Sequence, residues 1–196
     1  VLLMNVEPEI DVANGAKAVV ALKQAQSVMA FTPFESPTLL DVADVLLPIA
    51  PFAETSGSLV NMEGRLQSFH GVVKGFADSR PLWKVLRVLG NVFELEGFEY
   101  DSSEQVLLDA VKGGVQAENL NNRTSWAGES HAASAALMRV GGVGIYHTDS
   151  VVRRSAPLQA TSHAAVPAAR IHPATLAVYG LQDASNALVS QGGERI

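Results

Sequence analysis

Cysteine is absent from all 196 residues. That closes several chemistries at once: a thiolate nucleophile, a disulfide framework, a cysteine-ligated zinc site and iron–sulfur ligation from this chain. Charge is scarce too. Charged residues make up 17% against 47% apolar, a low share that suits a segment largely covered by other protein. The 14 basic residues form no long run and the net charge is −6. Nucleic acid is therefore not an expected partner, because phosphate neutralisation needs clustered Lys and Arg. No apolar run approaches the roughly 20 residues that span a bilayer, so no direct membrane insertion is expected. The opening Val1-Leu2-Leu3-Met4-Asn5 has neither a basic n-region nor a cleavage site. It also lacks an initiator Met and reads as the middle of a strand, so the expectation is an excised fragment of a longer protein.

Metal and catalytic motifs are equally thin. The five histidines, His70, His131, His147, His163 and His172, include no His-x-x-x-His or His-x-His pair, so no metal site is expected. Gly142-Val143-Gly144 has no third glycine at the right offset and fails the dinucleotide fingerprint. Thr55-Ser56-Gly57-Ser58 is not a Gly-x-Ser-x-Gly elbow, so a hydrolytic triad has no nucleophile to start from. No catalytic residue is expected. Asn122-Arg123-Thr124 is formally a glycosylation sequon, read here as a polar loop.

What is present is a βαβ series. Val1 to Val6 reads as a strand ended by Glu7-Pro8-Glu9, since Pro8 cannot continue a ladder. Asn14 is placed to cap a helix carrying Ala16, Val19, Val20 and Leu22. Ser27 to Phe31 is a second strand, a short helix starts at Ser36 or Thr38, and Val45 to Ile49 is a strand expected to be buried on both faces. Strand, helix, strand, helix, strand implies right-handed crossovers and an α/β, doubly wound parallel sheet.

Phe52 to Gly57 is a loop, and Ser58 to Gln67 reads as a hairpin turning near Glu63-Gly64, with positive φ at Gly64. Ser79-Arg80-Pro81 opens a helix in which Leu82, Val85, Leu86 and Leu89 form one stripe, expected to bury against the sheet. Ser102 and Gln105 make a capping box for another helix, stopped by Gly113-Gly114. Val115 to Ser130 turns polar and irregular, and His131 to Met138 reads as helical.

Glu54, Glu63 and Arg65 are the candidate ligand-binding residues, because a loop at the carboxyl end of a parallel strand is where open α/β sheets take ligands. A structural role competes with that reading. Glu63 and Arg65 flank a turn glycine and can pair with each other or with a neighbouring domain, while Asn61 and Gln67 can satisfy turn backbone.

The stretch 43–67 also resembles a known family. Ala43-Asp44-Val45, Leu47-Pro48, Glu54, Gly57-Ser58, Asn61, Glu63-Gly64-Arg65 and Gln67 follow the pattern of the molybdopterin-oxidoreductase superfamily. Ser68-Phe69-His70-Gly71-Val72-Val73 and the run from Ser79 to Gly90 look like one branch, the large G subunit of bacterial respiratory NADH:quinone oxidoreductase. Tyr146, Thr148, Asp149, Val152 and Arg153 resemble a late phrase of that family which precedes a short helix.

The resemblance implies a molybdopterin-oxidoreductase-like α/β domain with an inserted hairpin over 1–148. A linker helix and the start of a β-barrel cap would follow over 149–196, left incomplete where the chain stops. It implies a cofactor-less scaffold: no cofactor in this fragment, iron–sulfur clusters elsewhere in the parent, and partners among the other domains and subunits of the respiratory complex. The location implied is peripheral, on the cytoplasmic side of the inner membrane. Active relatives carry an Asp-x-Phe-x-Thr phrase where this chain has Thr32-Pro33-Phe34-Glu35-Ser36-Pro37, a departure that fits a degenerate pocket. The rival implied by the same resemblance is a fragment of an active molybdopterin enzyme such as a formate dehydrogenase. An unrelated α/β binding module is the third reading.

Overall fold

The computed structural model describes residues 1–116, 120–121, 137, 141–164, 168–183, 186–191 and 194–195. The expected helix at 131–138 and the sequon lie almost wholly outside them. Three short strands, β1 (Leu2–Met4), β2 (Met29–Thr32) and β3 (Val45–Pro48), form a parallel sheet in the order β1-β2-β3. Leu3 pairs with Ala30 and Ala30 with Leu46, so these three share one face. Asp44 fixes the register at the amino end: its carboxylate accepts the Val28 N–H at 2.8 Å while its own N–H donates to the Val28 carbonyl at 2.9 Å.

Local chemistry sets the helices. The Asn14 side chain accepts the Lys17 N–H and starts α2 (Gly15–Lys23), as its residue type predicts. Ser36 accepts the Leu39 N–H and, with Pro37 at the first helical position, starts α3 (Pro37–Val42). A preceding turn, α1 (Pro8–Asp11), lies so close to α2 that a Cβ on Gly15 would stand 2.3 Å from the Glu9 carbonyl oxygen. Leu22, Val28 and Val42 make one buried cluster, with Leu3, Val19, Ala25 and Ala43 packed around it, and Ala30, Phe31, Leu39, Ile49 and Ala50 are buried as well.

The sheet differs from the doubly wound expectation in one respect. Right-handed crossovers taken in a strictly sequential strand order put every connecting helix on the same face, and α2 and α3 do pack together. No reversal of strand order occurs among the described strands. On the second face Leu2, Met4 and Val45 of the outer strands are exposed, while Phe31 of the central strand is fully buried. The expectation that Val45 to Ile49 is buried on both faces fails at Val45 and Pro48, which are exposed, and holds for burial at Ile49.

Beyond β3, a 3-10 turn (Phe52–Glu54) leads into the antiparallel hairpin β4 (Gly57–Val60) and β5 (Leu66–Phe69). Gly57 faces Phe69, whose ring leaves no room for a Cβ. The helix α4 (Leu82–Val92) follows Pro81, but its stripe of Leu82, Val85, Leu86 and Leu89 is only half-buried and contributes nothing to the core cluster. Its one buried residue is Gly90, which Phe98 covers. The stripe is real as a pattern, yet the expected burial against the sheet fails: none of its four residues is fully buried.

In α5 (Ser103–Ala110) the Ser102 cap forms, and Gln105 reaches back to the Asp101 N–H at 2.7 Å. The described C-terminal residues hold α6 (Ser150–Arg153), α7 (Ala156–Gln159), α8 (Pro173–Val178) and the two-residue strands β6 (Ser190–Gln191) and β7 (Glu194–Arg195). No helix among the described residues is long and apolar enough to cross a membrane.

Candidate functional site

The three sequence-predicted residues do not converge. Glu54 ends the 3-10 turn at the carboxyl end of β3, and its carboxylate accepts the Phe76 N–H at 3.1 Å and, more weakly, the Ser79 hydroxyl at 3.5 Å. The Ala53 carbonyl accepts the Val72 N–H beside it. Glu54 therefore ties the chain leaving the hairpin to the loop that enters it.

Glu63 and Arg65 lie exposed at the hairpin tip, and among the described residues no ion pair joins them to each other or to Glu54. The organiser of that tip is Asn61. Its Oδ1 accepts the N–H groups of Glu63 at 3.0 Å and Arg65 at 2.9 Å, and Gly64 takes φ 80° to close the turn.

A different constellation occupies the carboxyl edge of the sheet, built from the loops after β1 and β2 and from α6. Glu7 follows β1 and is buried, 4% exposed. Arg153 donates to one Glu7 oxygen at 2.6 Å and to Asp11 at 3.1 Å, and Arg154 donates to the other Glu7 oxygen. The Glu7 N–H is itself bound by the Asp11 carboxylate at 2.8 Å. Arg154 lies over the ring of Phe34, 4.6 Å from its centroid. Phe34 is presented by a turn after β2, in which the Thr32 hydroxyl donates to the Phe34 carbonyl at 2.6 Å and accepts the Phe34 N–H at 3.1 Å.

Burial pushes the Glu7 carboxyl up, but hydrogen bonds from Arg154 and Arg153 outweigh it and leave the group below the ordinary glutamate range. Burial likewise works against the charge of Arg153, and the hydrogen bonds to Glu7 and Asp11 more than restore it. Two carboxylates and two guanidiniums thus neutralise one another at the place where an open α/β sheet would present donors to a ligand. Among the described residues Arg153 Nε and Glu9 Oε2 are buried without a hydrogen-bond partner, while the Arg153 guanidinium is paired through its other nitrogens. This donor set does not fit an anionic dinucleotide cofactor while the pairs are closed.

Arg153 was visible in the sequence only as part of a late phrase, and Glu7 only as a strand terminator. The available signal was a glutamate before proline at the carboxyl end of a strand and an adjacent Arg-Arg pair. Neither points to the other. Among the described residues no group of His, Asp and Glu is placed to hold a metal ion.

Residues 1–92, from before β1 to the last residue of α4, match the family described as Molybdopterin oxidoreductase. One relative is a Staphylococcus aureus (strain MRSA252) protein whose name reads "Putative formate dehydrogenase", 30% identical over 91 residues, covering 43% of this chain and 9% of the relative. Another is the NADH-ubiquinone oxidoreductase 75 kDa subunit of Reclinomonas americana, 33% identical over 66 residues, covering 34% of this chain and 9% of the relative. The chain thus spans about a tenth of the length of these relatives. The molybdopterin oxidoreductase superfamily is supported for residues 1–92, through relatives bearing two different names.

Proposed function

We propose that this chain is a structural, cofactor-less part of the iron–sulfur G subunit of a respiratory NADH:quinone oxidoreductase. One observation carries the reading: the charged side chains at the carboxyl edge of the sheet, Glu7 and Glu54, are engaged in holding the fold. Glu7 is bound to two arginines and Glu54 to the 76–79 loop, while Glu63 and Arg65 lie exposed on a turn that Asn61 holds. Absence of cysteine accords with clusters carried by other domains of the parent.

Electron transfer from NADH to quinone then belongs to the whole complex. The partners of this chain are other domains and subunits of that complex, and its location is peripheral, on the cytoplasmic side of the inner membrane. Residues after 165 begin a barrel cap in this reading.

The second reading, a fragment of an active molybdopterin enzyme such as a formate dehydrogenase, draws on the name of the Staphylococcus aureus relative. Metal analysis of the full-length parent separates the two. Iron without molybdenum or tungsten supports the scaffold, and stoichiometric molybdenum or tungsten with extractable pterin overturns it. An Arg65→Ala parent sharpens the test: pterin lost with thermal stability intact favours the enzyme, and reduced assembly with unchanged cluster content favours the scaffold.

A further inference from the structure

The segment Ile145–Gln159 is a small unit closed on itself. The 3-10 turn Ile145–His147 runs into α6, whose first N–H groups are capped by the Asp149 carboxylate at 2.8 and 3.1 Å. The Gln159 side-chain amide then donates to the carbonyls of Tyr146 at 2.9 Å and Val152 at 3.0 Å, joining α7 to both earlier turns. No residue of this unit is fully buried.

Its attachment to the rest is of another kind. Among the described residues, every hydrogen bond between it and residues 1–92 comes from Arg153 or Arg154 and ends on Glu7 or Asp11. The remaining charged contact is Arg154 over Phe34. Internal satisfaction with so narrow an attachment is what a segment needs to detach without unravelling: low burial and few external bonds place it at the low-stability end of the structure.

We propose that Ile145–Gln159 is a strap that closes over the carboxyl edge of the parallel sheet and opens as a unit, with Glu7 as its catch. Closed, the strap cancels the acidic pair Glu7 and Asp11 and shields the face of Phe34. Open, it leaves an acidic edge with an exposed aromatic on the sheet and a free Arg-Arg pair on the strap. Its release requires Glu7 to give up both guanidiniums together, so the open state is a minor one under native conditions. The device is independent of whether the parent is a scaffold or an enzyme.

Limited proteolysis of the full chain with trypsin tests it, because trypsin must draw an arginine side chain into an acidic pocket before it cuts. In the unaltered chain, cleavage after Arg153 and Arg154 will be slower than after Lys74, which lies exposed in an irregular loop. Glu7→Gln will speed cleavage at the arginines by on the order of tenfold or more while leaving Lys74 unchanged. Arg154→Gln removes only the more exposed contact and is the gentler variant. Local acceleration at Arg153 supports the strap, whereas acceleration at Arg153 and Lys74 together overturns it. Cleavage after Arg153 as fast as after Lys74 in the unaltered chain, or indifferent to Glu7→Gln, also overturns it.

Discussion

Arg153 donates to the Glu7 carboxylate at 2.6 Å although 146 positions separate the two in sequence. Both are nearly out of water, with side-chain exposures of 10% for Arg153 and 5% for Glu7. The pair is therefore more valuable intact than its net contribution to folding suggests, since the removal of either partner strands the other charge.

Glu7→Ala is expected to destabilise the chain by up to about 3–5 kcal/mol, with the ceiling set by the free energy that docks Ile145–Gln159. Asp41→Ala, at the Lys23–Asp41 pair whose side chains are 51% and 58% exposed, is expected to cost less than about 1 kcal/mol. Urea denaturation of the two variants decides. Equal losses would mean that the Glu7 network is as solvated as the surface pair.

The same carboxylate sets an acid limb. Glu7 has a folded-state pKa below its ordinary value, so its contribution is complete above the unfolded value, about 4.3, and fades as pH falls through the lowered folded value. Stability followed downwards from about pH 6 should drop more steeply in the unaltered chain than in Glu7→Gln. Parallel acid limbs would show that Glu7 is not charged and paired in the folded protein.

How far these features could be read from sequence follows the distance over which they are specified. Asn14, Ser36 and Ser102 cap their helices as their residue types predict, because each bond spans three residues. Gly64 has its positive φ because the turn demands it locally. The strand order is different: three strands and two helices are legible, but whether later strands reverse the winding depends on chain pairing that no local pattern encodes. The apolar stripe of α4 likewise reports that a face exists, and is silent on what meets it. Glu7 and Arg153 stand at the extreme of this series, two unremarkable residues whose meaning depends entirely on being brought together.

Burial now ranks two leucines that sequence treats alike. Leu39, in α3, is fully buried, 0% exposed, and Leu39→Ala is expected to cost about 2–5 kcal/mol. Leu86, in the half-buried stripe of α4, has less contact to lose, and Leu86→Ala is expected to cost roughly 1 kcal/mol. Chemical denaturation checks the order. A Leu86 loss matching that of Leu39 would mean that α4 is covered as completely as the core.

The hairpin tip separates the residue that builds the turn from the residues it displays. Asn61→Ala removes the oxygen that holds the N–H groups of both Glu63 and Arg65, and should cost about 1–2 kcal/mol, while Asn61→Asp keeps the acceptor and most of the stability. Gly64→Val forces a β-branched residue to the φ of 80° and should cost about 1–3 kcal/mol. Arg65→Ala, whose side chain is exposed, should stay within about 0.5 kcal/mol of the unaltered chain. Thermal or urea unfolding of the four variants is sufficient. If Arg65→Ala costs the isolated chain as much as Asn61→Ala, Arg65 is part of the turn's own framework and cannot be assigned to a surface the hairpin presents to something else.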